Sequence, residues 1–498
     1  MTDLRAFEGL NHFGGPQYRL YWGDIHRSSS VSGGVTPMNE HFRVARHELG
    51  LQVFAICDNA VLTRDPTKGR AFFGELRGPK SVTNGTTPLN LEDIHRVHTI
   101  EPEEWDELKA LVEAYDEPGA FVPLLAYERC SARYGDHNVY YKAKDGDLCL
   151  PPTLPQLHAE LGDAECLVLP HHMGYARGRR GKDWNFHFPR RERLAEIYSL
   201  HGSSEMPRDN PLPLSNIGMG GNVPGSSLQE AWARGYKLGV LASSDCHGQA
   251  QELILVGLWA TELTREGIWE ALWQRRTFGT TGAQRIELAF SADGFPMGSL
   301  YSTDTASVLE ATVKGTGPLK CVEIIKNNEV LYTLQGEGRA ELSLRYRDTS
   351  PPDRPDNWVY LRVTQADGNM AWSSPIWISI LPEHEAVHGY LYWEPEGVLL
   401  FDVLPVPSSD EGREGSDLAL RALNDNLERH LVRDVSFEVL GNARQTVRGP
   451  AVLRPGEHAE AHFTATGEAL YRVHYIDADD NRRTIQRTLI TGPLLERH

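Results

Sequence analysis

Between about residues 17 and 285, short apolar runs rich in β-branched side chains alternate with stretches of helical period. That alternation predicts β/α units arranged around a parallel sheet or barrel. The runs fall at 18–24, 51–58, 121–128, 165–172, 194–199, 238–245 and 253–261. The helices between them carry their own punctuation. Thr36 followed by Pro37 predicts an N-cap with proline in the first turn, and Gly50 predicts the stop after MNEHFRVARHEL. EPEEWDELKALVEAY starts acidic, as the helix dipole favours, and Thr264 opens a third helix that ends in arginines.

Beyond about residue 284 the helical period fades, and alternating strands with Gly, Asp and Pro turns take over, as in CVEIIKNNEVLYTL and WVYLRVTQADG. Such spacing predicts a small β-sandwich, followed after a link by a second β-rich segment. The expected organisation is therefore a chemistry-bearing α/β domain over 1–285, a β-sandwich over 286–385 and a second β-rich domain over 386–498. Residues 476–482 read as an acidic hairpin turn and 408–416 as a polar loop. Trp358, Trp372 and Trp377 fit a core as well as they fit a sugar platform.

Composition narrows the function classes. At 498 residues the chain is long enough for about three domains at roughly 150 residues each. Its 40% hydrophobic and 24% charged residues exclude a disordered, collagenous or coiled-coil chain. The net charge of -18 disfavours general binding to nucleic acid or to an anionic membrane surface. No run approaches the roughly 18 apolar residues of a membrane helix, and the first residues lack the apolar region of a signal peptide. Six scattered cysteines, with no C-x-x-C pair, read as reduced thiols and predict a cytoplasmic protein. The 20 histidines raise the remaining question, which is whether they gather where a metal could use them.

Position answers it. Almost every apolar run ends in an acid or a histidine: Asp24 with His26, Asp58, Glu128, His171 with His172, Glu196 with His201, and Asp245 with His247. In a β/α barrel all strand C-termini meet at one mouth, so residues far apart in sequence would converge. Carboxylates and imidazoles are the ligands that Zn, Mn and Fe take, at about 2 Å. A lone D-x-H is as well explained by a capping Asp and a surface His. Two of them, with a tandem His and a strand-end Glu, are not, because buried charge is costly unless paired or metal-bound.

These residues also carry a resemblance. YWGDIHRSSS, ICDN, LLAYE, VLPHH, AEIYSLHGSSE and ASSDCHG resemble, in order and spacing, the motifs of the PHP (polymerase and histidinol phosphatase) superfamily. More specifically they resemble a bacterial branch known mainly as a domain of unknown function, with a trailing β-sandwich. The resemblance covers about residues 18–285. It implies a distorted seven-stranded β/α barrel, a cluster of up to three divalent metals, and phosphoester hydrolysis. Carried over by position, His26 matches the first His of an H-x-H element and Glu128 the acid that bridges two metals. His171 or His172 matches the following metal His, Asp245 and His247 the closing D-x-H, and Glu196 or His201 a further ligand. Two positions depart from the pattern: Ser28 and Asn59 stand where the superfamily has imidazoles. Asp24 and Asp58 remain to be recruited, and Ser28 and Asn59 are left as candidates to hold a water. The expectation is one or two divalent ions, Zn, Mn or Fe, with Asp24, His26, Glu128, His171, Glu196, His201, Asp245 and His247 as the ligand set.

A metal so bound lowers the pKa of its water toward neutrality. His247, His172 and Asp58 are the catalytic candidates, the imidazoles as acid or base. The loop GYARGRRGKDW supplies Arg177, Arg179, Arg180 and Lys182, which suit a phosphate or carboxylate clamp equally with a solvated loop. His137 is a further candidate substrate contact, although a strand His beside tyrosines usually serves packing. Glu205 is expected to orient His201. Cys246 reads as small filler, and GMGGN (218–222) is a glycine loop without a nucleotide fingerprint. The reading is a metal-dependent hydrolase of a small anionic molecule, most readily a phosphoester, with no nucleic-acid or membrane partner. Metal-dependent cleavage of an amide, ester or other non-phosphate bond, and a non-catalytic binding protein with a relic metal pocket, are the alternatives. The β segments leave assembly into a homo-oligomer open.

Overall fold

The structure is a computed structural model. It describes residues 17–60, 100–131, 133–215, 219–350, 356–380, 400–405, 416–424, 430–441, 443–465 and 467–491, with three short strand pieces at 82–83, 87–88 and 392–393. The start of the chain and most of the polar loop at 408–416 lie outside the described residues.

Strand β1 (Arg19–Arg27) pairs in parallel with β2 (Val53–Ile56), and β2 in parallel with β3 (Val122–Arg129), Ile56 opposite Leu125. Gly23 permits the first pairing, since a Cβ there would lie 2.7 Å from the Val53 carbonyl oxygen. From β3 the sheet turns antiparallel through β4 (His137–Tyr141) and β5 (Cys166–Pro170). A second, smaller sheet holds β6 (Leu194–Ser199) and β7 (Gly239–Ala242) in parallel. On the other flank of β1, β8 (Leu255–Ala260) and β9 (Thr277–Thr280) add antiparallel strands. Ile25, Val53, Ala55, Val122, Leu124, Leu167, Leu194, Leu241 and Val256 share one buried core, so strands of both sheets face it.

Helix α1 (Met38–His47) joins β1 to β2, and α2 (Pro102–Tyr115) precedes β3. α3 (Leu154–Glu160), α4 (Leu228–Ala233) and α5 (Arg265–Trp273) are short. The acidic start of α2 closes a capping box between Glu101 and Glu104, and Thr264 caps α5 through the Gly267 N–H, as the sequence suggests. At α1 the cap differs: Pro37 itself occupies the N-cap, no side chain caps the helix, and Thr36 donates to the Gly248 carbonyl instead.

The architecture is mixed α/β with strands predominating among the described residues. Parallel β/α alternation holds for β1, β2 and β3 and for β6 and β7, while β4, β5, β8 and β9 pair antiparallel. A seven-unit β/α barrel is not what these pairings display. One reason is the link at 130–136, shorter than the dozen or so residues a parallel crossover needs, so β4 must fold straight back on β3.

The chain divides into two compact units, one of Met1–Gly298, Glu310–Arg345 and Val359–Pro375, the other of Ser299–Leu309, Tyr346–Trp358 and Ile376–His498. Within the first unit the sheet continues from β9 through further strands: β10 (Leu319–Lys326), β11 (Glu329–Gln335), the part of β12 (Asp356–Gln365) from Val359 onward, and β13 (Met370–Ser373). β13 lies against β9, Trp372 opposite Gly279, and residues 359–365 of β12 sit between β13 and β10. The second unit is built mainly of antiparallel strands around Leu420, Val435, Phe437, Phe463, Tyr471, Val473 and Ile485, with the strand Leu300–Thr303 pairing in parallel with two others. Its strands Gly467–Ile476 and Arg482–Thr491 form the acidic hairpin, with the Asp477 carboxylate accepting from the Asn481 N–H. Trp358, Trp372 and Trp377 are each buried, which makes them core and removes the sugar-platform reading. All six cysteines are free thiols, and no helix among the described residues is long and apolar enough to cross a membrane.

Candidate metal centre

The ends of β1, β3, β5, β6 and β7 bring one set of side chains together. His26 ends β1, Glu128 ends β3, His171 and His172 follow β5, Glu196 lies in β6, and Asp245 follows β7 at a positive φ of 48°. His26 Nδ1 lies 2.9 Å from a Glu196 oxygen and its Nε2 3.4 Å from Asp245. His171 Nε2 sits 3.0 Å from Glu128 Oε1, and its Nδ1 3.7 Å from both Glu196 and Asp245. His201 Nε2 reaches Asp245 Oδ2 at 3.0 Å, while its Nδ1 is held by the Tyr175 hydroxyl at 2.8 Å. All are buried except His201, which is partly exposed.

Three overlapping groups place their ligand atoms within 4.8 Å of one another: His26, His171, Glu196 and Asp245; Glu128, Asp136, His171 and His172; and His172, His201 and Asp245. Four carboxylates are thus buried in one pocket, an arrangement that is costly unless cations enter it. The pocket also holds polar atoms that complete no hydrogen bond. His26 Nε2, His171 Nδ1, both nitrogens of His172 and Glu196 Oε1 are buried and have no hydrogen-bond partner. Imidazole nitrogens and a carboxylate oxygen, convergent and without hydrogen bonds, fit a divalent cation.

The electrostatics point the same way. Burial alone would lower the His26 imidazole, but Asp245 and Glu196 beside it hold it well above its ordinary range. His171 is raised likewise by Glu128, against its burial. His172 moves the opposite way: burial, then His171, Arg180 and His201, push it well below, so it stands neutral and able to ligate. Burial would raise Glu128 and Asp245, yet the imidazoles around them hold both well below the ordinary carboxylate range. Asp136 goes up to about 6, driven by burial and opposed by Arg180.

Of the residues singled out in the sequence, the structure gathers His26, Glu128, His171, His172, Glu196, His201 and Asp245. Others are turned elsewhere. Asp24 Oδ1 accepts from the Ser244 N–H and its Oδ2, which makes no hydrogen bond, lies 3.7 Å from Arg27; the residue falls outside the three groups. Asp58 takes the Ser29 N–H at 2.7 Å and the hydroxyls of Ser29 and Ser32, so both its oxygens are used in fastening the loop after β1. His247 is exposed, two residues beyond Asp245, and belongs to none of the groups. His137 points to the opposite side of β4, where its Nε2 meets Lys182 Nζ at 2.8 Å in a buried cluster with Glu192. Arg177 and Arg179 are exposed, whereas Arg180 turns inward onto Asp136 and Glu128. Glu205 does not hold His201. It accepts from Tyr360, Trp372 and Arg362 instead.

Two pocket residues escape the strand-end rule. Asp136 precedes β4, and Asn138, opposite Glu128 in the ladder, has its side-chain amide 2.9 Å from His26 Nδ1. Because β4 is antiparallel to β3, its start lies where β3 ends. The motif GDHNVYY carried both residues, and alternation along β4 puts Asn138 on one face and His137 on the other.

Comparison with known proteins adds similarity without a function. A family model described as a protein of unknown function, DUF3604, matches residues 242–318, which include Asp245. An uncharacterized protein of Chlamydia pneumoniae is 35% identical over 234 residues, 41% of this chain and 37% of that protein. One of Chlamydia trachomatis is 34% identical over 225 residues, 39% of this chain and 36% of its own. The chain therefore spans little more than a third of the length of these relatives. Among solved structures, a two-domain protein of Bacteroides vulgatus containing a predicted PHP-like metal-dependent phosphoesterase covers 73% of this chain and 96% of its own, at 14% identity and a TM-score of 0.36. A TM-score that low carries no argument about fold or activity. What the chain resembles by sequence is a set of uncharacterized proteins that share about two fifths of it.

Proposed function

We propose that the protein is a metal-dependent hydrolase of a small anionic substrate, with a phosphoester as the preferred bond. The observation that supports it is the set of buried, unpartnered donor atoms on His26, His171, His172 and Glu196, packed among four carboxylates. A divalent ion held there, Zn, Mn or Fe, would supply a water that is nucleophilic near neutral pH and a Lewis acid for the bond under attack. The chain's own residues do the rest. Asn138 and Tyr175 orient His26 and His201 through their ring nitrogens. His201, partly exposed at the edge of the pocket, is placed to exchange a proton with solvent or substrate. Arg177 and Arg179, on the exposed part of the loop after β5, supply positive charge for an anion against an acidic chain.

On this reading the strands around the pocket are a modified PHP-type barrel, and the parallel groups β1–β3 and β6–β7 are what remains of its regular part. The test is turnover. A panel of phosphomonoesters and phosphodiesters, set beside amides and lactones, is expected to show phosphoester hydrolysis that chelation abolishes and metal restores. Cleavage confined to the amides or lactones would replace the substrate class, and activity untouched by chelation would remove the metal from the mechanism.

A further inference from the structure

We propose that Arg180 is a built-in cation that occupies one of the metal positions, the one framed by Glu128, Asp136, His171 and His172, so that the centre takes one ion fewer than its ligands allow. The inference rests on the reading of the pocket as a metal centre. The sequence places Arg180 in a substrate clamp with Arg177 and Arg179, but the side chain goes the other way. Its guanidinium donates to Asp136 Oδ2, and its Nη2 also lies 3.2 Å from Glu128 Oε1. Those are the two carboxylates of this ligand group. A metal ion between them would have to share both oxygens with a fixed positive charge, so guanidinium and metal exclude each other there. The other two groups draw on Glu196 and Asp245, whose carboxylates are approached by the imidazoles of His26, His171 and His201.

The loop that carries Arg180 is anchored on both sides, so its aim is a property of the fold. At Gly181 a Cβ would meet the Tyr175 carbonyl oxygen at 1.8 Å, so only glycine fits, and the Gly181 N–H returns to the Ala176 carbonyl. Lys182 is fully buried and fastened to Glu192 at 2.9 Å, to the Phe186 carbonyl at 2.8 Å and to His137 at 2.8 Å. Between these anchors Arg180 adopts a φ of 68°, a conformation that a non-glycine residue keeps only when its surroundings impose it. Its side chain is 18% exposed, against 59% for Arg177, and an outward swing would give up both acids. A consequence is that Arg180 neutralises the pocket and is not available to a clamp with Arg177 and Arg179.

Metal stoichiometry tests this without recourse to activity. Full-length wild type, Arg180→Gln and Arg180→Gly would be dialysed to equilibrium against Mn2+ and analysed for bound metal per chain. The glycine variant suits the positive φ, which guards against a simple loss of folding. Both variants are expected to hold one Mn2+ more per chain than wild type at saturation. The same number of ions in all three, whatever the affinity, overturns the role of Arg180 while leaving the metal centre standing. No bound Mn2+ in any of them removes the metal centre and this inference together.

Discussion

Replacing Glu205 separates two accounts of that residue. Its carboxylate is fully buried and accepts from the Tyr360 hydroxyl at 2.7 Å, Arg362 Nη1 at 3.1 Å and Trp372 Nε1 at 2.9 Å, so it joins the segment after His201 to β12 and β13 within one unit. Glu205→Ala leaves the Tyr360 hydroxyl and the Trp372 N–H without that acceptor in a dry site, at about 1–3 kcal/mol each. Arg362 keeps Glu323 at 2.9 Å and loses less. Breaking a buried charged network from one side costs about 3–5 kcal/mol in comparable cases, and the two estimates agree. At about 2 °C per kcal/mol for a unit of this size, the thermal midpoint should fall by roughly 6–10 °C. Glu205→Gln should do part of the same, because its NH2 cannot accept from whichever donor it faces. Thermal unfolding followed by circular dichroism, beside metal titration at a temperature where the variant is folded, decides the matter. A midpoint within about 1 °C of wild type together with weakened metal binding would refute the reasoning and return Glu205 to the task of orienting His201.

Three further outcomes follow from the same packing. Asp58→Ala should release the loop after β1, since it removes the acceptor for Ser29 N–H and two serine hydroxyls, and cost about 2–4 kcal/mol in chemical denaturation; unchanged metal binding by the folded variant is expected, and its loss would make Asp58 a ligand after all. Glu192 should make stability acid-dependent: burial would raise it, but Lys182 and the neighbouring His158 and His187 hold its carboxyl well below the ordinary 4.5. The unfolded chain then binds the proton more readily, so this stabilisation is full above pH 4.5 and is lost as the pH falls below it, which urea midpoints of wild type and Glu192→Gln should show as a flatter acid limb in the variant. Arg177→Ala with Arg179→Ala should raise KM for an anionic substrate and leave metal content unchanged; an unchanged KM would assign the exposed loop to solvation alone.

How much of this was legible in the sequence depends on strand direction. His26, Glu128 and Asp245 sit at or just beyond the ends of strands that pair in parallel, where apolar runs closing on an acid or imidazole point straight to a shared rim, and Glu196 lies inside one such run. Asp136 and Asn138 were hidden because β4 runs the other way, and a rule that watches strand ends does not look at strand starts. His137 drew attention from them, although a period of two puts it on the far face, against Lys182. Asp24 and Asp58 have the right residue type in the right place, but Asp24 Oδ1 accepts from Ser244 while its Oδ2 faces Arg27 at 3.7 Å, and both Asp58 oxygens are taken by Ser29 and Ser32, contacts between separate strands and loops that no local pattern records. The same holds for Glu205, whose partners lie on β12 and β13. The β/α alternation was visible, and the antiparallel additions were less so, because period-two strands look alike whichever way they run.

The central claim is that the pocket around His26 and Asp245 is a metal centre, and the metal content of the purified chain tests it most directly. Elemental analysis of wild type beside His26→Ala and Asp245→Ala, each shown to be folded, is expected to find at least one Zn, Mn or Fe per wild-type chain and an affinity lower by about 10–100-fold or more in both variants. Equal and negligible metal in all three, after dialysis against each ion in excess, would contradict the account.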